Sequence, residues 1–195
     1  MTPAIITAHP SAFTAKDRGE FFRMLQGSAT VSGTGLRGRI DRAGRLAFAR
    51  CPGGNLLGIA ALKIPNASYR ARISVASGVD LNTCDFPFER GWLFVEPSMR
   101  GQGIGMALIK TLSAVVGGQL FYSVGEHLPP CHVHISAVEG LGCVGRPFTS
   151  RAGQQLIVRV PMCMVQASAC VCSHAINARI LAHVGHSRFV RQIQG

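Results

Sequence analysis

The hexapeptide Arg100-Gly101-Gln102-Gly103-Ile104-Gly105 constrains this chain more than any other segment, because its three glycines separate two stretches of different period. Before it, Arg90 to Val95 is a short, mostly apolar run holding the sole Trp, and reads as a buried strand that Pro97 ends. After it, Ile104 to Val116 places Ile104, Leu108, Leu112 and Val115 at helical spacing until Gly117-Gly118 stops it. Strand, glycine loop and helix in this order suit an anion. Glycines remove the Cβ atoms that keep backbone at a distance, and the helix turns its unbonded N–H groups and positive dipole end toward the charge. Gly101, Gly103 and Gly105 supply the room, Gln102 to Met106 the amides, and Arg100 a side chain.

The pattern by itself means phosphate and no more. A nucleotide P-loop would need a Gly-Lys-Ser/Thr ending, which is absent. A dinucleotide fingerprint would place its third glycine further on, with an acid about 20 residues later. Glu126 stands near that distance, but repeated βαβ units are lacking.

Around this centre the chain alternates short elements. Residues 13–26 carry Phe21, Phe22 and Leu25 on one helix face with Thr14 as N-cap, and the Gly- and Arg-rich stretch 27–44 reads as loop. Arg45–Cys51 and Leu56–Ile64 read as strands joined by Pro52-Gly53-Gly54-Asn55 into a hairpin. A short helix is expected over Ala67–Ser77, stopped by Gly78, and a loop over Asp80–Phe88. Later strands are expected at Gln119–Val124, Val144–Phe148 and Gln155–Val160, with Gly140, Gly142 and Gly145 forming a turn. His132–Glu139 fits a helix, although His132 to Ile135 fits a strand equally. No internal repeat or low-complexity tract is present.

Composition sets the outer bounds. Hydrophobic residues at 47% against 15% charged supply a core, and no apolar run reaches the roughly 18 residues needed to cross a bilayer. At the N-terminus Lys16 and Arg18 follow the apolar residues instead of preceding them, unlike a secretory signal, so a cytoplasmic protein, monomer or homodimer, is expected. The seven cysteines are odd in number and fit free thiols in a reducing compartment. Cys163, Cys170, Cys172 and His174 lack the paired spacing of a structural zinc site, so no metal is expected. The net charge of +11 favours acidic partners, though scattered arginines also arise from composition alone; Arg37 to Arg50 is the one loose cluster. The tail, residues 161–195, holds no Asp or Glu, and only Ala175–His183 suggests a helix. It reads as an extension, a partner-binding segment, a disordered stretch or the product of a shifted reading frame.

Segment Gly91 to Gly105 resembles the GNAT family of N-acetyltransferases, whose signature Arg/Gln-x-x-Gly-x-Gly/Ala is met by Arg100, Gly103 and Gly105 between strand and helix. The likeness covers residues 13–160 and is strongest over 88–125. It implies an α/β (α+β) fold: a mixed, twisted, splayed β-sheet flanked by helices, as one domain over 1–160 with residues 161–195 appended. It further implies acetyl-CoA as co-substrate, its pantetheine arm along the backbone of Leu93, Phe94 and Val95 and its pyrophosphate on Arg100, Gly101, Gln102, Gly103, Ile104 and Gly105. The implied reaction moves an acetyl group directly to an amine.

An attacking amine must lose a proton, and the leaving thiolate gains from an acid. Glu89, eleven residues before Arg100, resembles in position the base of the histone-acetyltransferase branch; otherwise it is a solvated residue paired with Arg90. Glu96 at the strand's end is the second candidate. Where many members carry an acidic Tyr, the register places Val138, so Tyr122 is the substitute, against the common reading of a strand Tyr as core. His127, His132 and His134 lie near and titrate in the right range. Transient acetylation of Cys131 or Cys143 is a third, covalent route. Residues 16–27 and 66–88 flank the acceptor side, with Tyr69, Arg70, Arg72, Asp80 and Asp85 as lining or as plain solvated surface. Three functions stay open: acetylation of a small molecule or protein amino group, toxin-like acetylation of aminoacyl-tRNA suited by the basic charge, and a catalytically degenerate CoA-binding sensor or scaffold.

Overall fold

The computed structural model describes residues 3–27, 31, 33–116, 121–126, 140–150 and 152–162. In chain order the elements are β1 (Ala4–Ala8), α1 (Ala15–Gln26), α2 (Leu36–Asp41), β2 (Arg45–Arg50), β3 (Leu56–Lys63), α3 (Ala67–Ser77), β4 (Phe88–Val95), α4 (Ile104–Ala114), β5 (Phe121–Glu126), β6 (Leu141–Thr149) and β7 (Gln155–Pro161). Seven strands flanked by helices make the fold mixed α/β. The described parts of Met1–Pro65 and Pro87–Leu120 form one compact unit, and those of Asn66–Phe86 and Phe121–Gly195 a second. No described helix is long and apolar enough to cross a membrane. The expected element at His132–Glu139, the helix Ala175–His183 and the group Cys163, Cys170, Cys172 and His174 lie outside the described residues.

In the first unit α1 starts where its caps dictate. The Thr14 hydroxyl accepts from the Asp17 amide at 3.1 Å, and the Asp17 carboxylate accepts from the Thr14 amide at 3.1 Å, a reciprocal capping box. Phe21 and Leu25, one turn apart, are both buried by this helix. They meet Leu36, Ile40, Leu46, Phe48, Ile59 and Ala61 in one core. Burying a side chain of this size contributes about 1.5–3 kcal/mol each. Strands β1, β2, β3 and β4 pair antiparallel in that order. Alternation sends Leu46, Phe48, Ile59 and Ala61 to the α1–α2 face. The other face is kept shallow by Ala47, Ala49, Gly58 and Ala60 and takes α4; a Cβ added at Gly58 would stand 3.2 Å from Leu108 Cδ1.

The second unit pairs β7 antiparallel with both β5 and β6. Helix α3 begins at Asn66, whose side chain accepts from the Tyr69 amide at 2.8 Å, and ends at Gly78 with φ +75. It rests on β6 through Arg146, whose Nε and Nη2 each donate at 3.0 Å, to the carbonyls of Ala76 and Val75 at the helix C-terminus.

Four expectations need correction. Residues 27–44 are not all loop: α2 forms there because Leu36 and Ile40, one turn apart, reach the core. Ala4–Ala8 forms β1, which local pattern did not mark and pairing with β2 decides. Strand β4 begins two residues before Arg90, so Glu89 is part of the strand and does not precede it. Gly142 and Gly145 belong to β6, where register shifts between Val144 and Phe148 and Gly145 has φ +70, so this glycine makes an irregularity inside a strand.

A Cβ at Gly145 would lie 2.4 Å from the Ser77 carbonyl oxygen and 2.5 Å from Val79 Cγ2. Gly145→Ala is therefore expected to lower stability by about 2 kcal/mol or more in chemical denaturation. A second expectation concerns pH. The Thr14 hydrogen bonds, and after them Arg50, hold the Asp17 carboxyl below its ordinary 3.8. Its folded-state pKa is depressed, so its contribution is present above the ordinary value and is lost as pH falls through the folded one. The stability gap between the native chain and Asp17→Asn should narrow as pH drops below about 4 and stay constant near neutrality.

Candidate functional site

The described part of the candidate site lies in the first unit, where β4 runs into the glycine loop and α4. Gly58 stands opposite Val95 and the Glu96 amide donates to the Leu57 carbonyl at 2.9 Å, so β3 guides the strand to its last residue. A 3-10 turn over Pro97–Met99 reverses the chain. Arg100 Nε then donates to the Val95 carbonyl at 3.1 Å, with the guanidinium 5.6 Å from the centre of the Phe94 ring. Gly101 and Gly103 both have φ +77, a conformation that strains residues with a Cβ. Gly103 is the N-cap of α4 without any side-chain cap, and the first helical bond is Ala107 N–H to the Gly103 carbonyl at 3.0 Å. The amides of Ile104, Gly105 and Met106 therefore precede the helical ladder, as at any helix start. No acidic residue stands in that first turn. Gly105 brings α4 onto the strand: a Cβ there would touch Val95 Cγ2 at 3.6 Å and Leu93 at 3.8 Å. An open, uncapped helix start after two left-handed glycines fits a pyrophosphate.

Upstream, β4 carries a one-residue bulge. Ile59 faces Phe94 and Ala61 faces Gly91, so Trp92 and Leu93 together oppose Ala60. Trp92 takes φ +52, the one positive φ outside glycine among the described residues. Such a conformation costs on the order of 1–3 kcal/mol and persists where packing fixes it. Here the indole meets Phe21 edge-on at 6.2 Å. Leu93 is left exposed, with Phe94 and Val95 half-buried.

Glu89 is 2% exposed and forms an ion pair with Lys63, its cross-strand neighbour. The Lys63 stem runs over Gly91, where a Cβ would come within 2.9 Å of its Cε, and its ammonium lies 5.8 Å from the Trp92 ring. Glu89 is thus buried beside Lys63 and not a solvated residue; Arg90 is itself buried and donates to Ser113 Oγ at 3.4 Å. Lys63 and Gly91 were missed in the sequence because the pairing depends on strand register; a lysine ending an apolar strand was the available signal. Glu96 is half-buried at the strand's end.

Tyr122 belongs to the second unit and is fully buried, with Phe86 edge-on at 6.3 Å and the Arg70 guanidinium 5.8 Å from its ring. That is a packing environment. Arg70 is buried and donates to the Leu81 carbonyl at 3.3 Å, whereas Arg72 stays exposed beside Tyr69. Asp80 and Asp85 both accept from Asn82. His127, Cys131, His132, His134 and Val138 lie outside the described residues, and Cys143 is an exposed free thiol. Among the described residues no group of three or more His, Cys, Asp or Glu could hold a metal. A depression of about 460 Å³ elsewhere in the first unit is lined by Lys16, Asp17 and Glu20 of the expected acceptor-flanking segment 16–27, by Arg50 and by the β2–β3 turn, and contains none of the expected catalytic or cofactor-binding residues.

Comparison with solved structures decides the fold. An acyl-CoA N-acyltransferase from Pseudomonas aeruginosa superposes with a TM-score of 0.59 at 13% identity, over 82% of this chain and 99% of that one. The fold is that of the GNAT acyltransferases. A protein from Desulfovibrio desulfuricans assigned to the GNAT family of acetyltransferases gives a TM-score of 0.55 at 14% identity, over 82% and 98% of the two chains. The ribosomal-protein-S18-alanine N-acetyltransferase of Escherichia coli gives 0.56 at 11%, over 81% and 93%. No family profile matches the chain in sequence, and no curated protein does either.

The ion pair can be weighed by breaking it. Lys63→Met withdraws the cation from a carboxylate that is 2% exposed, and should cost about 2–3 kcal/mol. Lys63→Met/Glu89→Gln should recover a large part of that loss in urea denaturation. Equal losses in the single and double variants would show that the pair contributes little.

Proposed function

We propose that this chain is an acetyl-CoA-dependent N-acetyltransferase acting on the amino group of a small molecule or a protein. The observation that carries this reading is the loop Arg100–Gly105, with Gly101 and Gly103 at φ +77 opening the uncapped helix α4 directly after β4. The GNAT fold, resting on the structural likenesses, supports it. Residues 1–160 form the catalytic domain in this reading, with residues 161–195 as an appendage.

Gly101 and Gly103 give backbone access to the pyrophosphate, the first amides of α4 bind it, and Arg100 adds charge; the backbone of Leu93 to Val95 lies along the pantetheine. Bound acetyl-CoA supplies the activated acyl carbonyl, at which a C–N bond to the amine replaces the C–S bond. Glu89 takes the amine's proton, and Lys63 holds that carboxylate in place. Glu96, nearer to solvent, is the second candidate base. Tyr122 is assigned to packing on account of its burial, which leaves protonation of the thiolate to water. A second reading, a CoA-binding sensor without turnover, gains support from the same geometry, because a carboxylate that is 2% exposed and bonded to Lys63 is shielded from an acceptor amine.

Calorimetry and a thiol-release assay with a panel of amines separate the two. Gly103→Val introduces bulk where a Cβ meets nothing within 4 Å, so its cost to the fold is backbone strain, while acetyl-CoA affinity should fall at least about tenfold. Glu89→Gln should leave that affinity within about threefold and lower kcat by about 10²-fold or more. Binding without thiol release on every amine supports the sensor, and absence of acetyl-CoA binding sinks both.

A further inference from the structure

We propose that the α1–α2 face of the first unit is a docking surface for the phosphate backbone of a nucleic acid, independent of which amine is acetylated. Charge is distributed unevenly between the two helical faces of this unit. Helix α4 carries a single charged residue, Lys110. On the opposite face α1, α2 and the residue after them carry Lys16, Arg18, Arg23, Arg37, Arg39 and Arg42 against Asp17, Glu20 and Asp41. All three acids are already engaged. Arg50, reaching from β2, bonds Asp17 at 2.9 Å and Glu20 at 2.7 Å, and Arg18 bonds Asp41 at 3.0 Å. Two arginines thus meet three carboxylates, and Lys16, Arg23, Arg37, Arg39 and Arg42 outweigh the one negative charge left over.

That remainder is gathered and fixed in place. The Arg37 guanidinium stacks on Phe22 of α1 at 4.1 Å, which fixes it against that helix. A stacked guanidinium keeps its in-plane N–H donors for another ligand. Arg42 folds back along α2, its Nη1 standing 3.2 Å from where a Cβ on Gly38 would be, between Arg37 and Arg39. Arg23, Arg37 and Arg42 are exposed, and Arg39 is tied by Nη2 to the Thr34 carbonyl at 3.2 Å.

The chemistry favours phosphate over carboxylate partners. Lys16 is the one lysine of the patch, and the planar arginine fork engages phosphate oxygens in pairs. The described residues of the patch offer no exposed aromatic ring as a base-stacking platform, so recognition is through backbone charge and indifferent to sequence.

The test is fluorescence anisotropy of the full chain with a fluorescein-labelled single-stranded RNA of about 20 nucleotides, between about 50 and 200 mM salt. Affinity should fall steeply with salt, with a slope of about −2 to −3 for three to four neutralised phosphates. Arg37→Glu/Arg42→Glu should weaken binding at least about tenfold and flatten that slope by about one or more. Arg72→Glu/Lys110→Glu makes the same total change of charge at exposed positions on α3 and α4, and should stay within about threefold of the native chain. If the double glutamate variant does not fold, Arg37→Gln/Arg42→Gln should show the same loss at smaller size. No binding, or equal loss in the two charge-matched variants, overturns the proposal. So does tighter binding to polyglutamate or to phosphatidylserine vesicles than to RNA.

Discussion

Antiparallel pairing of β3 with β4, broken by one extra residue at Trp92, is the constraint on which the rest of the described site depends. Downstream of the bulge, register sets Val95 opposite Gly58 and ties Glu96 to Leu57, so the chain enters its turn at a fixed point. Upstream, the same ladder sets Glu89 opposite Lys63. The bulge lets both halves hold at once and turns the indole toward Phe21 in the core. Strain at Trp92 is thus balanced by aromatic packing, and a buried ion pair sits three residues before the strained one. A shift by one register step would separate Lys63 from Glu89 and move the glycine loop along β3.

The two faces of the first unit serve different needs. Facing α4, the strands carry glycine and alanine, which lets the helix and its glycine-rich start lie close to β4. Facing α1 and α2, they carry Leu46, Phe48, Ile59 and the Trp92 indole, a deep aromatic core. The first arrangement suits backbone recognition of a cofactor. The second holds a helical layer rigid enough to present charge at its outer surface.

How much of this was legible in the sequence depended on whether the signal was local. Thr14 and Asp17 cap α1 within three residues of one another, Gly78 stops α3, and the loop Arg100–Gly105 lies between elements of clear period, so all were readable. Strand β1 was not, because Ala4–Ala8 shows no marked alternation and becomes a strand by pairing with β2. Helix α2 was hidden by the glycines around it, although Leu36 and Ile40 held the signal. The partner of Glu89 lies 26 residues away, and only strand register could have named it. Tyr122 illustrates a third limit: its position in a strand was evident, while its full burial beside Phe86 and Arg70 is a tertiary fact.

Helix α3 lies in sequence between two paired strands of the first unit, yet it packs on β6 of the second through Arg146 and the close approach of Gly145 to Ser77. During synthesis, α3 leaves the ribosome roughly 70 residues ahead of the strand it needs, and the first unit can close its own core in that interval. The nascent chain must therefore carry Ser77 and Val79 without their contact at Gly145 until β6 emerges. The order in which this helix is made thus differs from the order in which it can be packed, and its docking waits on the last strands of the described fold.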